Sequence, residues 1–310
     1  SSGSPDNAYI ALDVDSIGSP SLAINQTLDV RSGSRVLQAT DFFQDKLASV
    51  KELTVSGTAT TEGLDLLLSH LTGDTSSPYA IASNVASSSL STATANQTDQ
   101  QLLSIVMKSA YGSTADLAFK DCFCTNLQLS GDANSEGGRI KFSATFKSGS
   151  AVDLAFAATT IDTAITSNNY YMSGWDADDR IICGVANAVV STFSLDITSD
   201  VVFTGVTSTG YEVATRSGEV SSSANFTVVY DNNFKGLFNT FNAQSTGASQ
   251  GATLMATDAT PSDGEFEFKM ANSVLTDVSF NEGNVMMLDV GVKALGAGIG
   301  SSTALIEVSC

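Results

Sequence analysis

The sequence predicts a mainly β protein of two tandem β-sandwich or barrel domains, each with one short α-helix. Three observations carry this. Short runs rich in Val, Thr, Phe and Ile alternate with clusters of Ser, Gly, Asn and Asp, the pattern of strands between turns. An apolar stripe at i, i+3, i+4, i+7 occurs twice, as Leu64, Leu67, Leu68 and Leu71 and again as Phe234, Leu237, Phe238 and Phe241. An alternating, strand-like run precedes each stripe, Leu53 to Gly57 and Phe226 to Tyr230. At 310 residues the chain exceeds what one hydrophobic core usually organises, so about two domains are expected.

Taken in order, residues 1–21 form an N-terminal arm, in which Ala8 to Asp15 can pair as a strand before the Gly18-Ser19-Pro20 break. Domain 1 spans 22–155. Its first strand is Leu22 to Val30, with Leu195-Asp196-Ile197 as the counterpart in domain 2. Thr61 and Asp231 each stand three residues before the first apolar position, where an oxygen can cap the helix N–H groups. After the first helix, Ser83 to Thr98 is a long polar stretch, matched by the shorter Ala243 to Thr253. Loops of that length in a compact domain tend to be functional contacts, so Ser83 to Thr98 is expected to order against a neighbouring subunit.

Phe123, Thr125, Leu127 and Leu129 alternate with Cys124, Asn126 and Gln128, which predicts a strand with one buried face. Val274, Thr276, Val278 and Phe280 repeat the pattern. Turns follow at Ser130 to Gly138 and Asn281 to Asn284, then return strands carrying Ile140, Phe142, Ala144 and Phe146, or Met286, Leu288, Val290 and Val292. Four elements recur in one order, the mark of a tandem duplication. Residues 156–188 are a linker, anchored by Tyr170, Tyr171 and Trp175, and domain 2 spans 189–310.

The net charge of −19 argues against gripping phosphate backbones or an anionic membrane surface. No run of about 18 apolar residues is present to span a bilayer. The N-terminus lacks the basic and apolar regions of a signal peptide. Cysteines stand at 122, 124, 183 and 310, and reduced thiols are the plain reading. Cys122 and Cys124 have metal-pair spacing, but with His70 the only histidine a four-ligand zinc site is not expected.

His70 falls beside the helix stripe without a second imidazole, so a packed histidine is expected. No Gly-x-Ser-x-Gly motif accompanies it. Asp176-Ala177-Asp178-Asp179 lacks the glycine and glutamate of a calcium loop and reads as solvated. Glu265 and Glu267 alternate with Phe266 and Phe268, the wet face of a strand. Gly296 to Gly300 opens no helix and reads as a flexible connection to a last strand, Ala304 to Val308. No catalytic, cofactor-binding or metal residue is assigned, and the chain is not expected to be an enzyme.

The order of strand, short helix, polar loop and terminal hairpin resembles the tail tube proteins of long-tailed bacteriophages. Cys124-Thr125-Asn126-Leu127-Gln128-Leu129-Ser130-Gly131-Asp132 with Gly137-Gly138-Arg139-Ile140-Lys141-Phe142 looks like that family's hairpin, as does Leu275-Thr276-Asp277-Val278-Ser279-Phe280 with Glu282-Gly283-Asn284. The resemblance covers about 22–147 and 189–295. It implies a structural virion protein of the tail, assembled in the host cytoplasm, whose stacked rings form the channel for DNA passage. A duplicated member forms homotrimers with pseudo-sixfold, pseudo-hexameric rings. Implied partners are itself, the tape measure protein and the tail terminator and distal tail proteins, with DNA passing unbound during ejection and no membrane. A negative inner wall is expected, with Asp277, Glu265 and Glu267 as candidates for it. A secreted or cell-surface β-sandwich adhesin is the alternative, and an acidic carbohydrate-active enzyme a third.

Overall fold

The structure, a computed structural model, describes residues 9–18, 25–28, 36, 42–45, 50–72, 79–82, 103–107, 117–149, 161–163, 169–172, 180–206, 211–216, 220–242, 252–257, 265–270, 272–281, 285–296 and 304–309. Within these the chain is mainly β, with two α-helices.

The first half runs β1 (Tyr9–Ile10), β2 (Val14–Ile17), β3 (Asn25–Leu28), β4 (Phe42–Asp45), β5 (Lys51–Thr58), α1 (Thr61–Thr72), β6 (Tyr79–Ala82), β7 (Leu103–Met107), β8 (Leu117–Asp132), β9 (Lys141–Ser148) and β10 (Ile161–Thr163). The second runs β11 (Val190–Thr198), β12 (Val201–Val206), β13 (Tyr211–Arg216), β14 (Ser221–Val229), α2 (Asn232–Asn242), β15 (Ala252–Thr257), β16 (Glu265–Met270), β17 (Ser273–Asn281), β18 (Met287–Ala294) and β19 (Ala304–Ser309).

Period-two alternation drives the main sheet. On β9, Phe142, Ala144 and Phe146 are buried, while Lys141, Ser143, Thr145 and Lys147 alternate with them. The sheet has the order β17-β18-β14-β11-β8-β9-β5-β2, antiparallel at each join, and β7 adds to the early part of β8. A second layer of order β15-β16-β19-β6 packs on it, with the Phe268 ring 6.2 Å from those of Phe193 and Phe226. The buried residues form one cluster drawn from both halves, so the halves are not separate globules.

Read in two blocks of four, the main sheet repeats itself. β17, β18, β14 and β11 stand in the order of β8, β9, β5 and β2. In the chain, hairpin β12–β13 lies between β11 and β14 as hairpin β3–β4 lies between β2 and β5. Each helix follows the equivalent strand, α1 after β5 and α2 after β14. The irregularities repeat as well. The register shifts between Val14 and Ser16 on β2 and between Val190 and Thr192 on β11. It shifts again between Cys124 and Asn126 on β8 and between Leu275 and Asp277 on β17, around Thr125 and Thr276. A bulge inserts one residue and locally turns the strand, so a shared bulge position aligns the halves residue by residue.

Several expectations are corrected by this alignment. The counterpart of β11 is Val14–Ile17, inside the presumed arm, and the segment around Leu22 to Val30 instead supplies β3 of a hairpin. Pairing partners decide this, and a strand of four residues leaves little local signal. Cys124 is buried in the core and not on the polar face, because the bulge at Thr125 reverses the alternation. Met286 lies ahead of β18 and is exposed.

The helix ends follow from capping. Asp231 Oδ1 accepts the amides of Asn233 and Phe234 at 2.8 and 2.9 Å, as expected. In α1 the cap is Thr60, whose Oγ1 accepts the Gly63 amide at 3.3 Å, and not Thr61. Thr61 Oγ1 instead meets the hydroxyl of buried Tyr170 at 3.0 Å, which anchors the connection between the halves. Ser83 to Thr98, 243–251, Trp175, Asp176 to Asp179, 297–300 and Cys310 lie outside the described residues.

Candidate functional site: an internal strand junction and two free edges

The two halves join where β11 pairs with β8, and this junction is well sealed. Seven residues of each strand stand opposite one another, from Thr192 with Asp132 to Thr198 with Asn126. Phe193, Leu195 and Ile197 meet Leu127 and Leu129 on the buried face. Side chains and turns extend the pairing. The Ser199 amide donates to Thr125 O at 2.9 Å, the Ala133 amide to Ser191 O at 2.8 Å, and Asn126 Nδ2 to Thr198 Oγ1 at 3.0 Å. Lys147 Nζ meets Asp200 Oδ1 at 2.8 Å, and this contact holds the Asp200 carboxyl below its ordinary range.

Hairpin β12–β13 reaches back from the second half over the first. Arg216, 6% exposed, donates Nη1 to Cys124 O at 3.1 Å and to Ser199 O at 3.2 Å, and Nη2 to His70 O at 3.2 Å. Burial lowers its pKa, yet a guanidinium keeps its charge, and the carbonyl oxygens replace the lost water. The Phe203 ring lies edge-on to Phe123 at 6.1 Å and beside Tyr211 at 5.7 Å.

At the ends of the main sheet, β2 and β17 each have one unpaired side among the described residues. Because β2 is the counterpart of β11 and β17 that of β8, the free edges are the same two surfaces that meet at the junction. The strand directions agree, since the antiparallel alternation along the sheet leaves β17 and β2 oriented as β8 and β11 are. Exposure reports the missing neighbour. Phe193 is 3% exposed while its counterpart Ile17 is 48% exposed. Leu129 is fully buried while its counterpart Phe280 is 41% exposed. An unpaired edge with apolar side chains is a template for another strand.

The side of the main sheet away from the second layer is polar. Its rows include Asn126, Gln128, Ser130, Ser143, Thr145, Thr192, Ser194 and Asn225, by the alternation of each strand. Five carboxylates, Glu52, Asp132, Asp196, Asp277 and Asp289, share this face with Lys141, Lys147 and Lys293. Asp15 and Glu136 at Lys141 and Asp200 at Lys147 add to the acidic side, so carboxylates outnumber the lysines and the face is net negative. Of the residues expected on one negative wall, Asp277 lies on this face, but Glu265 and Glu267 lie on β16 in the other sheet.

Of the described residues singled out for chemistry, His70 and Cys124 meet, and only through the Cys124 backbone amide. His70 is buried and its Nε2 accepts the Cys124 amide at 3.0 Å, a packed histidine bridging α1 and β8. Cys122, Cys124 and Cys183 are free and buried, and burial pushes each thiol up to about 12. Among the described residues no group of three His, Cys, Asp or Glu could hold a metal ion, and no helix is long and apolar enough to cross a membrane. Nothing in the sequence marks Arg216, because a lone arginine at the end of a strand has no periodic signature. No protein-family model matches this chain, and neither does any curated protein.

Proposed function

We propose that this chain is a structural protein whose copies join head to tail into closed rings, which stack into a tube like the tail tube of a long-tailed bacteriophage. One observation carries the reading: the two free edges of the main sheet, β2 and β17, are the topological counterparts of the strands that already pair inside the chain. A heterologous contact of this kind closes into a ring when its rotation divides the circle. If the internal junction sets the rotation, each chain contributes two equal steps, and three chains give pseudo-sixfold symmetry.

The covered side of the sheet carries the second layer and both helices, which need the larger circumference, so the bare polar side faces inward. A ring of three chains closes on roughly 24 strands, about 40–50 Å between opposite backbones for ordinary strand spacing and tilt. The lumen is then lined by hydroxyls, amides and a mixture of carboxylates and lysines. Such a wall offers duplex DNA no basic track to grip. The tape measure protein within the tube and the proteins capping its ends remain the partners this reading implies.

Negative-stain microscopy and light scattering on the purified chain test it. Rings with a central hole, at a mass of three chains or in stacks, are the expected result. Ile17→Lys, at an exposed edge position, should leave the chain folded and abolish the rings. A chain that stays monomeric at high concentration overturns the proposal.

A further inference from the structure

The two helices occupy equivalent places but are not equally covered. Along α1 every residue is buried or half-buried, and Gly63, Leu64, Leu67, Leu68, His70 and Leu71 are buried. Along α2, Phe234 and Leu237 are buried, Phe238 and Phe241 are half-buried, and Asn232, Asn233, Lys235, Gly236, Asn239 and Asn242 are exposed. The strand beneath differs in the same way. Phe123, Cys124 and Thr125 are buried on β8, whereas on β17 Val274 and Leu275 are half-buried and Thr276 is exposed.

Strand β6 packs on α1, and hairpin β12–β13 adds cover at the end of α1 and on β8, through Arg216 on His70 O and Cys124 O and through Phe203 on Phe123. Its counterpart, hairpin β3–β4, pairs only with itself among the described residues. The correspondence is exact in register. A constant offset relates Val14 to Val190, Ser16 to Thr192 and Asn25 to Val201, and Asn25 pairs with Asp45 as Val201 pairs with Arg216.

We infer that hairpin β3–β4 is an arm that clasps a second copy of this chain, seating on its α2 and the start of its β17 as β12–β13 seats on α1 and β8. This rests on the ring reading and names the partner surface within it. With β3–β4 set on β2 as β12–β13 is set on β11, repeating the internal junction between chains brings β3–β4 of one copy to α2 of the next. The half-covered Phe238 and exposed Phe280, whose rings lie 4.7 Å apart, then gain the cover that Leu68 and Leu129 already have. The contact between chains is not a full copy of the internal one. Asp45 stands where the internal hairpin has Arg216, and Phe43 pairs with Thr27 where Ala214 pairs with Phe203. The buried guanidinium anchor is thus confined to the junction that never has to open.

A cross-link tests the arm. Thr27 corresponds to Phe203 and Val274 to Phe123, so Thr27→Cys with Val274→Cys in a Cys310→Ser background is treated with a short bismaleimide. The native thiols at 122, 124 and 183 are buried and stay silent. Assembled protein should give covalent dimers and trimers on a denaturing gel, and neither single variant should. Adding Ile17→Lys should remove these products. Maleimide labelling of a separate Phe238→Cys variant should slow roughly tenfold on assembly, as for any site that reacts only when a cover opens. Rings without cross-linked products, or with unchanged labelling, overturn the arm and leave the ring reading standing. A cross-link that forms within single chains also overturns it. If no rings form at all, both readings fall together.

Discussion

Arg216 donates a hydrogen bond to the carbonyl oxygen of Cys124 at 3.1 Å, across the join between the halves of the chain. The same guanidinium reaches Ser199 O and His70 O, so one side chain satisfies carbonyls from β8, α1 and the turn after β11. Arg216→Leu keeps apolar bulk but leaves those acceptors buried without a donor. It should cost about 2–4 kcal/mol, the range for a small group of orphaned polar atoms. Urea titration measures it, and an unchanged midpoint would mean water replaces the guanidinium freely.

The two helix stripes should respond differently to truncation. Leu67 is buried, so Leu67→Ala should lower stability by about 2–5 kcal/mol in the isolated chain. The same stripe spacing predicts a buried Phe238, but it is half-buried, with its ring 4.7 Å from that of Phe280. Phe238→Ala should therefore cost less than Leu67→Ala in isolated chains. In assembled protein the gap should narrow, which thermal melts before and after assembly will show.

Thiol chemistry gives a simple readout of the core. With Cys122, Cys124 and Cys183 buried and their pKa values pushed up to about 12, the thiolate is scarce at pH 8 and the reagent has no access. A disulfide reagent should leave all three unmodified in native protein and titrate all three in denaturant. Fast native reaction at any of them would mean that its surroundings open locally.

Two carboxylates across the junction should give opposite pH signatures. Asp200 is held down by Lys147 and the Val201 amide, so its contribution is present above its unfolded pKa and fades as pH falls through the lower folded value. Asp200→Asn should destabilise slightly at pH 7, and the difference should vanish in acid. The effect is small because the carboxylate is largely exposed. Asp196 is raised by burial, which outweighs its hydrogen bond from Gln128. A raised carboxyl costs stability once pH passes above its unfolded value, so Asp196→Asn should be neutral or stabilising at pH 7. Below the unfolded pKa the two proteins should match. Parallel stability curves from pH 3 to 7 would refute both assignments.

The mainly β class, the two helices and the two terminal hairpins were legible in the sequence because they are local. A stripe such as Leu64, Leu67, Leu68 and Leu71 commits its segment to one helix face before any partner is known. Alternation at Phe142, Ala144 and Phe146 does the same for a strand, whose period of two needs no distant information. The recurrence of those periods in one order was visible for the same reason. Only the tertiary structure decided that Val14–Ile17 is the counterpart of β11, that Cys124 turns inward at a bulge, and that Arg216 seals the join. Each depends on a pairing made across tens of residues, and a one-residue bulge exchanges the faces of a strand without altering its composition. The free edges were equally invisible, since an edge is defined by the strand that is missing beside it.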